Sequence, residues 1–303
     1  LTGSFKNLWV PIRWAFSNYY NDQTDVYQSL LKHRDCMGDI TSIISGRPLV
    51  LKFNVNKKYH SKNSYDIKFM DNITRSGLAK AHLYVDVPPG CRIKLNEDFL
   101  SSNLSLKKIT YLLREDSSLV INRRVRSSGL FSIDSEFIMH PGANLNVETH
   151  RPIVPDSSTG IETFFIDSTY ENTVSIKGKT RLNSSTQYNH LVEINDSGNH
   201  NDIKTDMRYV LSNYAALYNN SLAQHEKTSD NSRSDINMSV LNLSGNPISH
   251  LVTTQDSKSE STELLSNRIR LGLEDTNYDE ILAMGTDVET AKDIIAQEFL
   301  HGT

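Results

Sequence analysis

From about Ser76 the chain is written in short runs rich in alternating apolar residues: HLYVDV (His82 to Val87), ITYLL (Ile109 to Leu113), EFIM (Glu136 to Met139) and ETFFI (Glu162 to Ile166). A period of two places every second side chain on one face, which is the pattern of strands with one buried side. Turn-forming clusters separate the runs, at Pro88 (PPGC), Glu115 (EDSS), His140 (HPGA) and Tyr170 (YENT). Gly90, Ser117, Gly142, Asn172 and Gly198 mark these breaks at intervals of roughly 25–30 residues. Such a period points to stacked β-coils, because one coil cannot bury its inward face alone. A β-sandwich, whose turns come every ~8–12 residues, is the competing architecture.

The two ends have a different texture. Within residues 1–75, Val26, Leu30 and Leu31 fall at helical spacing and Gly38 follows as a stop. Within residues 274–303, Thr286 and Glu289 form a capping box, and Val288, Ala291, Ile294, Ile295 and Phe299 continue at helical spacing. Ahead of them Tyr278, Ile281 and Leu282 make a shorter apolar face that ends at Gly285. The expected architecture is therefore mainly β: a parallel β-helix core over 76–273, a partly helical N-terminal region over 1–75, and a C-terminal helical hairpin over 274–303.

Composition narrows the chemistry. A length of 303 residues supports a substantial core without staples. The two cysteines, Cys36 and Cys91, stand in no CxxC or CxxH pattern, so the sequence predicts neither a disulfide framework nor an all-cysteine metal site. This usage fits a reducing cytoplasm, or an organelle if a leader preceding Leu1 has been removed. A net charge of -4 argues against general nucleic-acid binding. The one dense basic run, INRRVR from Ile121 to Arg126, reads as a solvated strand edge. No stretch approaches the ~18 apolar residues of a membrane helix.

Gly178-Lys179-Thr180 lacks the preceding glycine of a phosphate-binding loop, since Thr173 stands there. No GxSxG, HExxH or EF-hand spacing occurs. His190, His200, His225 and His250 are scattered, and a lone histidine is more often a satisfied structural group than a ligand.

From Gln187 onward the order of features resembles the SufB/SufD family, the scaffold subunits of the SUF iron–sulfur cluster assembly machine. Gln187-Tyr188-Asn189-His190 resembles that family's Q-x-x-H strand. Val210 to Asn231 is similar to a segment in which a glycine usually stands where this chain has Asn220. The run VLNLSG resembles an apolar family strand, and Ser249-His250 falls where members carry a Ser-His or Ala-His pair. The closing Met284 to Leu300 is like the family's terminal helices, and the resemblance covers roughly 76–303. Two departures concern the SufB-type site: a cysteine beside the strand Ile236-Asn237-Met238-Ser239, and a glutamate near Asn267, are both missing. The retained histidine resembles the SufD-type arrangement, while the long segment between His250 and the last helices is closer to SufB in length, so the resemblance is to a SufD-like or a minimal SufB-like subunit.

The resemblance implies a scaffold without catalysis of its own. It implies pairing with a SufB-like or SufD-like subunit or with a second copy, and docking of a SufC-like ABC-type ATPase through Tyr278, Ile281, Leu282 and Phe299. His250 is the candidate for a shared cluster or sulfur interface and for contact with its metal. A cluster would be held only transiently and in complex, with none on the isolated chain, and neither nucleic acid nor membrane is an expected partner. The alternative is a secreted β-helix that binds or acts on polysaccharide, which would account for glycosylation sequons at Asn72, Asn103 and Asn183.

Overall fold

The computed structural model describes residues 48–52, 64–70, 79–100, 105–126, 129–152, 158–183, 186–225, 231–244, 248–257, 262–271 and 288–301. Its strands form two parallel sheets. One contains β1 (Pro48–Lys52), β3 (Ala79–Val87), β5 (Ser105–Leu113), β7 (Gly129–Met139), β9 (Ser158–Ser168), β11 (Thr186–Asp196), β13 (Ala216–His225) and β15 (Ile248–Ser257). The other contains β2 (Ser64–Met70), β4 (Arg92–Leu100), β6 (Ser118–Val125), β8 (Asn144–Arg151), β10 (Thr173–Leu182), β12 (Asp202–Ser212), β14 (Arg233–Ser244) and β16 (Thr262–Leu271). Each strand pairs with the strand two later in sequence, so the chain passes alternately through the two sheets and climbs one rung per pair. This is the expected β-helix rather than a sandwich. Among the described residues the ladder already includes Pro48–Lys52 and Ser64–Met70, ahead of residue 76, because β1 and β2 pair with β3 and β4.

Alternation explains why these segments are strands. In β8, NLNVETHR, exposed and buried positions alternate without exception, with Leu145, Val147, Thr149 and Arg151 turned inward. Parallel register then stacks like on like: Leu95, Ile121, Val147 and Ile176 form one interior column. Tyr111 stacks on Phe137 with ring centroids 4.6 Å apart. Each fully buried Leu, Ile or Phe contributes on the order of 1.5–3 kcal/mol, and each is buried only because a neighbouring rung supplies the other wall.

The rungs are not of one length. Asn122 bonds Asn96 across 26 residues, whereas Thr163 bonds Asp134 across 29. One corner nevertheless repeats closely. Gly90, Asp116, Gly142, Glu171, His200 and Asn231 occupy successive turns there, all with positive φ. The following residues Asn172, Asn201 and Ser232 are buried and form a ladder: Asn172 N–H donates to Asn201 Oδ1 (2.7 Å), and Asn201 N–H to Ser232 Oγ (3.2 Å). Gly90 and Gly142 thus belong to one column and Ser117 and Asn172 to the next, which is why marking turns by residue type blurs the period.

One helix, α1 (Val288–His301), is described at the C-terminal end. The first arm of the expected hairpin and the expected helix near Val26 lie outside the described residues. The helix packs on the outer face of β12 and β14, where Val210, Leu241 and Leu243 meet Ile295, Ala296, Leu300 and the partly buried Phe299. Val210 and Leu241 point away from the interior, so YVL in β12 and VL in β14 interrupt the alternation because both faces there are covered. Arg181 pairs with Asp293, and Arg208 Nη1 donates to the Phe299 carbonyl (3.2 Å) near the helix end.

Candidate functional site

Two regions carry the polar chemistry: the end of the solenoid with its helix, and a buried polar spine along its interior. At the end, β15 and β16 are the last strands of their sheets among the described residues. His250 is on β15, its backbone in register with Tyr218 of β13; its side chain lies outside the described residues. Asn267 of β16, which stands near the family's glutamate position, is in register with Met238 of β14. Of the candidate docking residues, Phe299 packs against the β12–β14 face. Tyr278, Ile281 and Leu282 lie outside the described residues.

The interior spine was not anticipated. In β6, Leu119, Ile121, Arg123 and Val125 share the inward phase, so Arg123 enters the core while its neighbour Arg124 faces solvent. This corrects the reading of INRRVR as a solvated edge: strand alternation separates its arginines, and only Arg126, which pairs with Asp98, and Arg124 lie on the outer side. Arg123 Nε donates to Glu97 Oε2 (2.8 Å), Nη1 to Ser135 Oγ (2.9 Å) and Glu162 Oε1 (3.1 Å), and Nη2 to the Tyr111 oxygen (3.1 Å). Tyr111 in turn donates to Glu97. Glu162 also accepts from Tyr188 (2.5 Å) and from Thr149 (3.2 Å). Arg151 is stacked between Phe131 and Tyr188, 4.9 and 5.2 Å from their ring centroids.

The electrostatics follow from burial and pairing. Burial disfavours the Arg123 cation, but Glu97 and Glu162 outweigh it and hold the guanidinium more firmly charged than usual. Burial likewise opposes charge on Glu162, yet the Arg123 cation overcomes it and its pKa lies below the ordinary carboxylate value. Burial pushes the Tyr111 and Tyr188 hydroxyls well above their usual range, so both remain donors.

His190, the histidine of the Q-x-x-H strand, lies further along the same interior. Its Nδ1 is 2.7 Å from Tyr209 OH, and Tyr209 donates its own proton to Asn219 Oδ1 at 2.5 Å. Nδ1 must therefore carry the imidazole proton, which leaves Nε2 as a bare acceptor with no partner among the described residues. Burial, aided by Arg123 and opposed by Glu162, pushes its pKa down to about 4, so the ring is neutral at pH 7.

A second buried constellation has the hydrogen-bond order of a hydrolase triad. Ser234 Oγ is 2.9 Å from His225 Nε2, and His225 Nδ1 is 2.8 Å from Asp196 Oδ2. All three are at most 2% exposed, so the serine cannot meet a substrate, and the group acts as a clamp across β11, β13 and β14. Asp196 also accepts from Asn201 of the turn ladder. Gly178-Lys179-Thr180 lies in β10, where the missing side chain of Gly178 leaves the space that Met207 Sδ occupies.

The signal for the spine was present in the strand phase, since Glu97, Arg123 and Thr149 share one register column and each falls among inward apolar residues. That Glu162 and Tyr188 meet Arg123 from the opposite sheet could be learned only from the fold. No family model and no curated protein matches this sequence.

Proposed function

We infer that this chain is a scaffold subunit of a SUF-type iron–sulfur cluster assembly complex. It pairs through the end of its β-helix with a SufB-like or SufD-like subunit or with a second copy. It binds a SufC-like ABC-type ATPase through its C-terminal helical region, and the cluster is transient cargo of the complex. The observation that carries this reading is the placement of α1. The helix lies along the flank of β12 and β14 rather than over β15 and β16, so among the described residues the outer edges of both end strands have no pairing partner. An unpaired parallel edge is a template for another strand. His250 stands on one of these two end strands.

The cysteine chemistry is consistent with a cluster completed elsewhere. Burial raises the pKa of Cys91, which reduces its thiolate fraction, and a protein-held cluster ordinarily needs several thiolates. The buried carboxylates Glu97 and Glu162 are committed to Arg123, an arrangement unlike the paired, substrate-facing acids of a glycosidase.

Deletion of residues 274–303 should abolish binding of a SufC-type ATPase while leaving the β circular dichroism signal. In the reconstituted complex, His250→Ala should slow cluster assembly selectively, and His200→Ala, at an exposed turn, should not. Undiminished ATPase binding by the truncated chain would sink the docking role. Wild-type assembly by the His250 variant would remove His250 from the site.

A further inference from the structure

The outer face of the second sheet carries a hollow unrelated to the interior spine or the end strands. It has a volume of about 650 Å³ and is lined by Arg92 and Lys94 of β4, Ser118 of β6, Asn144 of β8, and Asp116 and Ser117 of the turn before β6. Register explains the arrangement. Arg92, Ser118 and Asn144 are consecutive partners on three adjacent strands, and at ~4.8 Å per strand they span roughly 10 Å.

Neither Arg92 nor Lys94 forms an ion pair among the described residues, although most cations on this face do, as in Arg126–Asp98, Lys179–Glu148 and Lys204–Asp202. Both side chains are exposed. Beside them the partly exposed Ser118 and the exposed Asn144 supply neutral polar groups to the same hollow.

The far rim is set by backbone shape. Asp116 has φ 54° and Gly142 φ 71°. A Cβ on Gly142 would lie 2.2 Å from Asp116 Oδ1, so the absence of a side chain at 142 is what allows the carboxylate to rest there. The hollow therefore offers cations and neutral donors together with one anionic acceptor. A simple anion would use only the first set and would be repelled by the second. A phosphate monoester carried on a hydroxyl-bearing ring would use both, with the phosphate on Arg92 and Lys94 and a ring hydroxyl donating to Asp116.

We propose that this hollow is a binding site for a small phosphorylated polyol, a sugar phosphate or the ribose phosphate of a nucleotide. The proposal does not depend on the scaffold reading. Its test is calorimetric titration of the full chain with glucose 6-phosphate, AMP, inorganic phosphate and glucose. At least one of the two phosphorylated ligands should bind about tenfold or more tightly than inorganic phosphate or glucose, and the pair separates the two sources. Arg92→Glu and Lys94→Glu should each weaken that binding about tenfold, while Arg124→Glu, which removes a cation of the same face outside the hollow, should change it less than about twofold. Asp116→Ala should erase the preference over inorganic phosphate. All four positions are exposed, and unchanged thermal melts will show that the variants fold.

Three results would each overturn the proposal. They are no binding of either phosphorylated ligand at about 10 mM, inorganic phosphate binding as tightly as both, or Arg124→Glu weakening binding as much as Arg92→Glu.

Discussion

His190 couples a single buried ring to solution pH. Its folded pKa of about 4 lies below the ordinary histidine value of about 6.5. Between those values the unfolded chain takes up a proton that the folded chain refuses, so stability falls as pH drops from about 6.5 towards 4 and then levels off. The full effect is on the order of 3 kcal/mol. Glu162 acts at lower pH in the same direction: its depressed pKa contributes stability above the unfolded value near 4.3, lost as pH falls through the folded one. Urea titrations of His190→Phe across pH 7 to 4 should show a flatter stability profile than wild type. An unchanged slope would mean that His190 is not the group responsible. The Arg123 pairs make a different demand, because removing the guanidinium leaves two buried carboxylates uncompensated, a loss of about 3–5 kcal/mol.

At the scale of the element, the turn column is where sequence and backbone disagree most. Glu171 and His200 adopt φ of 52° and 62°, a region that costs an ordinary residue roughly 1–2 kcal/mol, while Gly90 and Gly142 occupy the same column without that cost. Glu171→Gly and His200→Gly should each raise the melting temperature by a few degrees, corresponding to about 1 kcal/mol. Gly198→Ala should do the reverse and strongly, since its Cβ would fall 1.2 Å from the Thr169 carbonyl oxygen. Thermal melts of the three variants check both signs, and a neutral Gly198→Ala would contradict the close approach. The strands and α1 were legible beforehand because period two and the capping box are local signals. The inward destination of Arg123 was legible in principle from its phase with Leu119, Ile121 and Val125, but the basic run around it drew the opposite conclusion.

For the whole molecule, stability is carried from rung to rung, because each strand pairs only with its predecessor and successor in the stack. Hydrogen exchange should therefore find the most protected amides in central strands such as β8 to β11, with protection declining towards β1 and β2 at one end and β15 and β16 at the other. Uniform protection along the stack would show instead that it opens as one cooperative unit. Addition of the partner subunit should protect β15 and β16 selectively if pairing occurs there. The interior spine from Glu97 to Asn219 resists register slips, since moving one strand by a residue would turn its polar group outward and leave its partner buried and unsatisfied.

The sequence by itself determined the β-helix class, the approximate rung length and the terminal helix, because alternation, turn chemistry and capping are short-range properties. It also limited the thiolates available to two. Only the tertiary structure decided that Arg123 would meet Glu162 from the other sheet, that Ser234, His225 and Asp196 would close into a buried clamp, and that Arg92, Ser118 and Asn144 would line one hollow. Those groups lie on different strands, and their proximity depends on how the corners between strands set the facing of the two sheets. The outward apolar residues Val210 and Leu241 show the same division: the broken alternation was local, but the helix that covers them comes from the other end of the chain.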